Sequence, residues 1–145
     1  MSDRKDSVFL AIAAQLSHLG TCDRAQVGAV LVRDGRCISW GYNGAPPGLP
    51  HCSENEHGWQ FHKHVDAAVE EFGCRNATHA EANALAYAAR QGISTDGCTL
   101  FVTVSPCDTC SRLLIAAGIV RVVWIEEYRD HAGLNLLAEA GVELL

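Results

Sequence analysis

No apolar run in the sequence approaches the roughly 18 residues that a membrane-spanning helix needs. The opening residues, Met1-Ser2-Asp3-Arg4-Lys5-Asp6, lead into an alternating helical pattern and not into the apolar core of a secretory signal. A soluble, cytoplasmic protein is the expectation. Positive charge is also sparse: 11 Lys and Arg stand against 17 Asp and Glu, for a formal net charge of −6, and no basic cluster is present. Holding a polyphosphate backbone requires such a cluster, so DNA and RNA are disfavoured as partners and a small molecule is favoured. No internal repeat or low-complexity tract occurs, and a chain of 145 residues with 48% hydrophobic content suits one domain, residues 1–145, around one core. Disulfide parity is missing too. The seven cysteines are Cys22, Cys37, Cys52, Cys74, Cys98, Cys107 and Cys110, and an odd count without a secretory leader indicates reduced thiols. Some would be metal ligands and others small buried side chains, with Cys37 and Cys98, both in predicted strands, expected to be buried.

Apolar spacing gives the elements in order. Val8, Phe9, Ile12, Ala13, Leu16 and Leu19 recur at one, three and four residues, one face of an amphipathic helix that Gly20 ends. The run from Val27 to Val32, the Asp34-Gly35 pair and the alternating Cys37 to Tyr42 predict a β-hairpin. Residues Asn43 to Cys52, with three prolines and two glycines, predict an irregular loop of the kind that carries function. His57 to Phe72 has rough helical spacing. Ala80 to Arg90 is Ala-rich and helical, Cys98 to Val104 a strand, Pro106 to Ala117 a helix and Ile119 to Ile125 a buried strand. Ala132 to Ala140 gives a last helix and Val142 to Leu145 a short strand. Together these predict a three-layer α/β/α domain, with a five-stranded mixed sheet and about five helices.

Two stretches carry the chemistry: His79-Ala80-Glu81, and Pro106-Cys107-Asp108-Thr109-Cys110. Residues two apart on a helix do not face each other, so His79 and Glu81 converge only on a point beyond the helix end. Cys107 and Cys110, three apart, are neighbours on one face, with Pro106 suited to a first helical turn. Two helix N-termini would then point at one metal ion, and their dipoles favour thiolate there. Three protein ligands and one open position form the catalytic arrangement of zinc, with Glu81 left over to accept and return a proton. A non-catalytic zinc corner would have no need of Glu81. H-x-E followed by P-C-x-x-C is the signature of the zinc-dependent nucleobase deaminases, which this sequence resembles.

The resemblance extends beyond that signature. Cys22-Asp23-Arg24 runs into Val27-Gly28-Ala29-Val30, followed by Gly41-Tyr42-Asn43-Gly44-Ala45-Pro46, His79-Ala80-Glu81-Ala82-Asn83-Ala84, and Glu127-Tyr128 ahead of Ala140-Gly141-Val142. On these residues, from Cys22 to Leu145, the chain resembles the cytidine deaminase superfamily and, within it, the deoxycytidylate (dCMP) deaminase branch. The G-Y-N-G segment separates that branch from free-cytidine deaminases, which usually carry Cys where His79 stands. The resemblance implies zinc-dependent hydrolysis of dCMP to dUMP and ammonia, a supply of thymidylate precursor. A 5-modified dCMP or another cytosine or adenine compound is the alternative substrate; the acidic charge weighs against tRNA and G-Y-N-G against a free base.

Roles follow from the same resemblance. Asn43 would hydrogen-bond the sugar, unless it is only a turn residue before Gly44. Ala80 would offer its N–H to the base carbonyl, Ser105 its carbonyl to the departing amine, and Tyr128 would line the pocket or belong to the core. Arg24 is the candidate for the 5′-phosphate, because a forked donor suits a dianion, with Arg129 and Arg112 as alternatives. A second, structural zinc would take Cys22, Cys52, His57 and Cys74, with His51, His62 and His64 as rivals for the fourth place. The insertion from Ser53 to Gly73 departs from the family pattern. Members are commonly homohexamers under allosteric control, activated by dCTP (with Mg2+) and inhibited by dTTP, and Arg90 falls at a position linked to that control.

Overall fold

The computed structural model describes residues 3–22, 25–51, 59–62, 71–74 and 77–145. In chain order its elements are α1 (Asp3–Ser17), β1 (Gly28–Arg33), β2 (Arg36–Tyr42), β3 (Trp59–His62), β4 (Glu71–Cys74), α2 (Ala80–Gln91), β5 (Thr99–Val104), α3 (Asp108–Ala116), β6 (Arg121–Glu126), α4 (Ala132–Glu139) and β7 (Glu143–Leu144). The main sheet has five strands in the order β2-β1-β5-β6-β7. β2, β1 and β5 are antiparallel neighbours, whereas β5, β6 and β7 run parallel, so the sheet is mixed as predicted. Asp34 and Gly35 close the β1–β2 hairpin with φ of 52° and 73°, both in the left-handed region that a type I′ turn requires.

Alternation along β1 and β5 feeds two cores. Ala29, Leu31, Leu100 and Val102 face Ala80 and Ala84 of α2, Leu114 of α3, and Leu134 and Leu137 of α4. Val30, Val32 and Phe101, with Val123 of β6, face Ala13 of α1. Burial on both faces accounts for the continuous apolar runs in these strands and gives the three-layer α/β/α architecture.

Several expectations change. The buried stripe of α1 is centred on Ala13, with Phe9, Leu10 and Leu16 beside it, while Val8, Ile12 and Leu19 are 53%, 37% and 51% exposed. The helix covers a narrow band of the sheet, so only one edge of its apolar face is used. The helix expected over His57 to Phe72 is replaced, where the segment is described, by an antiparallel pair with Trp59 opposite Cys74 and His62 opposite Glu71. Trp59 and Phe61 alternate as well as they fit a helical period, and aromatic residues favour a pleated strand. The described helices are therefore four. Cys98 is buried as expected, but Cys37 is exposed, because it sits beside the hairpin turn on the edge strand β2. Among the described residues no helix is long and apolar enough to cross a membrane.

Candidate metal centre and active site

Two helix N-termini meet at the end of β5. His79 is the N-cap of α2, with φ −65° and ψ 152°, and Cys107 is the N-cap of α3, with φ −70° and ψ 171°. Both helices thus begin one residue after a ligand, and Pro106 precedes the cap instead of opening the first turn. The Cys107 sulfur acts as a capping acceptor, taking the Cys110 N–H at 3.5 Å. That bond turns the Cys107 side chain back over its own helix end and towards α2.

The three ligand atoms are already assembled. His79 Nδ1 lies 3.5 Å from Cys107 Sγ and 3.4 Å from Cys110 Sγ, and His79, Cys107 and Cys110 form a cluster whose ligand atoms lie within 4.8 Å of one another. Tetrahedral bonds of about 2.3 Å to sulfur and about 2.0 Å to nitrogen would hold N and S about 3.5 Å apart. The two N···S distances are therefore the edges of a zinc tetrahedron, and soft thiolates with one imidazole are a donor set zinc prefers. His79 is exposed, Cys107 half-buried and Cys110 buried, so the cluster has an open side.

The three ligand side chains shift one another's titration. The Cys110 thiol, and then the His79 ring, hold Cys107 down to about 4 against the opposing effect of burial. Cys110 is pushed up, first by its hydrogen bond to Cys107 and then by burial. His79 is raised by the Cys107 hydrogen bond, with burial opposing. Glu81 is only 4% exposed, and burial raises its carboxyl, while its own backbone N–H and the His79 ring oppose the rise. A carboxyl raised in this way is a better proton acceptor than an exposed one, as suits a group that takes up and returns a proton.

The sequence matches, over residues 2–126, the family described as the cytidine and deoxycytidylate deaminase zinc-binding region. The chain belongs to this deaminase family. It is 34% identical to the deoxycytidylate deaminase of Enterobacteria phage T4, across 97% of this chain and 88% of the phage protein. It is 40% identical to the deoxycytidylate deaminase of Mycobacterium phage D29, across 84% of this chain and 94% of that protein. Among solved structures it resembles the dCMP deaminase of cyanophage S-TIM5 in complex with dCMP and dUMP, with a TM-score of 0.83 and 33% identity over 100% of this chain and 98% of that one.

Ala80 is fully buried as the first residue of α2, and Ser105 is buried at the end of β5. The Ser105 hydroxyl accepts the Tyr128 N–H at 2.7 Å, tying two of the predicted pocket residues together. The Tyr128 ring lies 5.6 Å from the Arg129 guanidinium carbon. Asn43 is buried, and its side chain is engaged with the chain before β1: Oδ1 accepts the Val27 N–H at 2.7 Å and Nδ2 donates to the Ala25 carbonyl at 2.6 Å. A carboxamide has a second hydrogen and a second lone-pair position beyond these.

Arg112 is exposed and paired with Asp108 at 3.5 Å, and Arg90 is exposed in the last turn of α2. Arg24 lies outside the described residues. Of the second zinc set, Cys22 is buried after α1, whereas Cys52 and His57 lie outside the described residues and Cys74 is described only as the end of β4. His64 also lies outside them, His62 closes β3, and His51 is exposed.

Asn83 has no role legible in the sequence. Asn83 Nδ2 donates to the Tyr42 carbonyl at 2.7 Å and reaches the Thr78 carbonyl at 3.4 Å. The available signal was a single carboxamide in the otherwise Ala-rich Ala80-Glu81-Ala82-Asn83-Ala84.

Proposed function

We propose that this protein deaminates dCMP hydrolytically to dUMP and ammonia, with one zinc ion held by His79, Cys107 and Cys110 and with Glu81 as the proton carrier. The observation that carries this reading is the zinc-sized spacing of His79 Nδ1 from the two sulfurs, 3.5 and 3.4 Å, beside a buried carboxyl. The dCMP deaminases named above supply the substrate class. Zinc, when bound, supplies the positive charge that makes a water molecule nucleophilic near neutral pH.

The chain's own residues do the rest. Glu81 accepts the proton of the attacking water as its oxygen bonds to C4 of the base, and passes that proton to the ring nitrogen N3. When the C4–N4 bond breaks, Glu81 carries the proton of the new C4 hydroxyl to the departing amine while N3 keeps its own, giving ammonia, a carbonyl at C4 and an N3–H. The Ala80 N–H, at the positive end of α2, holds the carbonyl oxygen at C2, and the Ser105 carbonyl accepts from the amine. Tyr128, positioned by Ser105, walls the pocket. Asn43 uses its remaining hydrogen-bonding capacity on the deoxyribose, and Arg24 binds the 5′-phosphate, with Arg129 and Arg112 as the substitutes.

The product dUMP is a thymidylate precursor, which gives the reaction its place in nucleotide supply. A homohexamer with dCTP and dTTP control through Arg90, Mg2+ as the dCTP counter-ion and a structural zinc on Cys22, Cys52, His57 and Cys74 complete the proposal. The deciding experiment measures absorbance loss on dCMP, CMP, deoxycytidine, dCTP and 5-substituted dCMP, alongside zinc content. Turnover of dCMP well above deoxycytidine supports the reading, equal turnover refutes nucleotide specificity, and one zinc per chain refutes the structural metal.

A further inference from the structure

We infer that Asn83 is a positioning residue that locks the nucleoside-recognition loop to the backbone carrying the metal ligand. The inference rests on the deaminase reading above and extends it to a residue with no assigned role. Tyr42 ends β2 and Thr78 immediately precedes His79, and the carboxamide nitrogen of Asn83 faces both their carbonyl oxygens, at 2.7 and 3.4 Å. Around it the two segments exchange a pair of backbone hydrogen bonds: Gly44 N–H to the Thr78 carbonyl at 3.1 Å, and Thr78 N–H to the Gly44 carbonyl at 2.8 Å. The Asn83 N–H also makes the first helical bond of α2, to the His79 carbonyl at 2.9 Å. Asn43, the sugar contact, is flanked on one side by a carbonyl that Asn83 holds and on the other by the Gly44–Thr78 pair.

Close packing leaves this contact little freedom to move. A side chain on Gly41 would meet the Ala80 carbonyl at 2.4 Å and the Asn83 Cβ at 3.0 Å, so β2 lies directly against the first turn of α2. An amide of this length can donate to both carbonyls, whereas a carboxylate of the same shape sets lone pairs against lone pairs. Asp at this place is still favoured by the helix N-terminus, so Asn83→Asp removes the donor without weakening α2 itself.

The experiment compares Asn83→Asp and Asn83→Ala with Ser39→Ala. Ser39 makes another buried side-chain bond across the same β2–α2 contact, Oγ to the Ala84 carbonyl at 2.7 Å, but does not flank Asn43. Expected for both Asn83 variants are a rise of about tenfold in KM for dCMP, a smaller change in kcat, an unchanged zinc content and faster amide exchange in the peptides covering 42–45 and 77–79. Ser39→Ala should lower the melting temperature with KM and that exchange unchanged. Wild-type KM and exchange in the Asn83 variants, or the same changes in Ser39→Ala, overturn the inference. Failure of the wild-type protein to deaminate dCMP would instead refute the functional reading, and the exchange measurement would still decide the role of Asn83.

Discussion

Gly133→Ala should destabilise the protein and weaken its metal site, although glycine to alanine in a helix is ordinarily stabilising. At a position free of contacts the substitution gains about 0.4–1 kcal/mol, mostly by restricting the unfolded chain. Here a Cβ on Gly133 would stand 2.3 Å from the Pro106 carbonyl oxygen, 2.7 Å from the Cys107 carbonyl carbon and 2.7 Å from Ser111 Oγ. Ordinary contact is about 3.5 Å, so α4 and the turn into α3 must part by about 1 Å. Two of the three obstacles are backbone atoms and the third belongs to a buried serine, so no flexible side chain can swing aside. Overpacking of this kind costs about 1–3 kcal/mol, which outweighs the gain and fixes the sign as a loss. The displaced backbone carries Cys107, and a shift of about 1 Å there spoils N···S edges that now match zinc; an error of that size can cost about a hundredfold in rate. Thermal unfolding of the metal-free protein measures the first effect, and zinc competition with a chromogenic chelator the second. A melting temperature at or above wild type with unchanged zinc affinity would refute the close packing of α4 on the ligand turn.

Glu81→Gln keeps the shape of the buried side chain but cannot accept a proton, so kcat on dCMP should fall by about 10²–10⁴-fold with zinc content unchanged; retained turnover would remove Glu81 from its role. Stripping the protein with a strong chelator should abolish turnover, and zinc alone should restore it. Because the ligands must be deprotonated to bind, chelation should also become easier as pH falls, which competition at several pH values checks. Away from the site, buried Arg121 is ion-paired with the partly exposed Asp6 at 2.5 Å, and Arg121→Ala should cost about 1–3 kcal/mol in chemical denaturation. The hydrogen bond from Arg121 lowers the Asp6 carboxyl below its ordinary 3.8, so the stability it gives is fully present above that value and is lost as pH falls through the folded one. An acid-unfolding series on Asp6→Asn should show a shallower fall below about pH 4 than wild type, and an identical fall would refute the coupling.

The parts of the fold that could be read from sequence are those where one local rule dominates. The Asp34-Gly35 turn, the apolar β5 and β6 runs and the glycine stops each had a single reading. The segment from His57 to Phe72 did not, because its apolar spacing fits two periods and only pairing with a partner strand decides between them. Val8 and Ile12 look like core residues until the width of sheet available to α1 is known, and Cys37 looks buried until β2 is known to be an edge. At the site, the cluster of His79, Cys107 and Cys110 was legible because metal chemistry restricts both residue type and spacing. Asn83 was not, because its partners are backbone carbonyls from Tyr42 and Thr78, and a sequence does not say which carbonyls face an amide.

That contrast follows from how the site divides. Its metal half rests on the first residues of α2 and α3, which are anchored by Ala84 and Leu114, both fully buried in the main core. The half proposed to recognise the nucleotide hangs on the end of β2 and the loop after it, where the Asn43 side chain is held by Ala25 and Val27. The two halves are joined by the Gly44–Thr78 pair, by Asn83 and by the Ser39 bond to Ala84, a contact made mostly with backbone atoms. Side chains on the recognition loop can therefore vary without moving the ligands, provided that contact is kept. Changes on the loop can then leave the metal ligands in place, so nucleotide selectivity has to be tested on the loop and its contact with α2, not on the metal ligands.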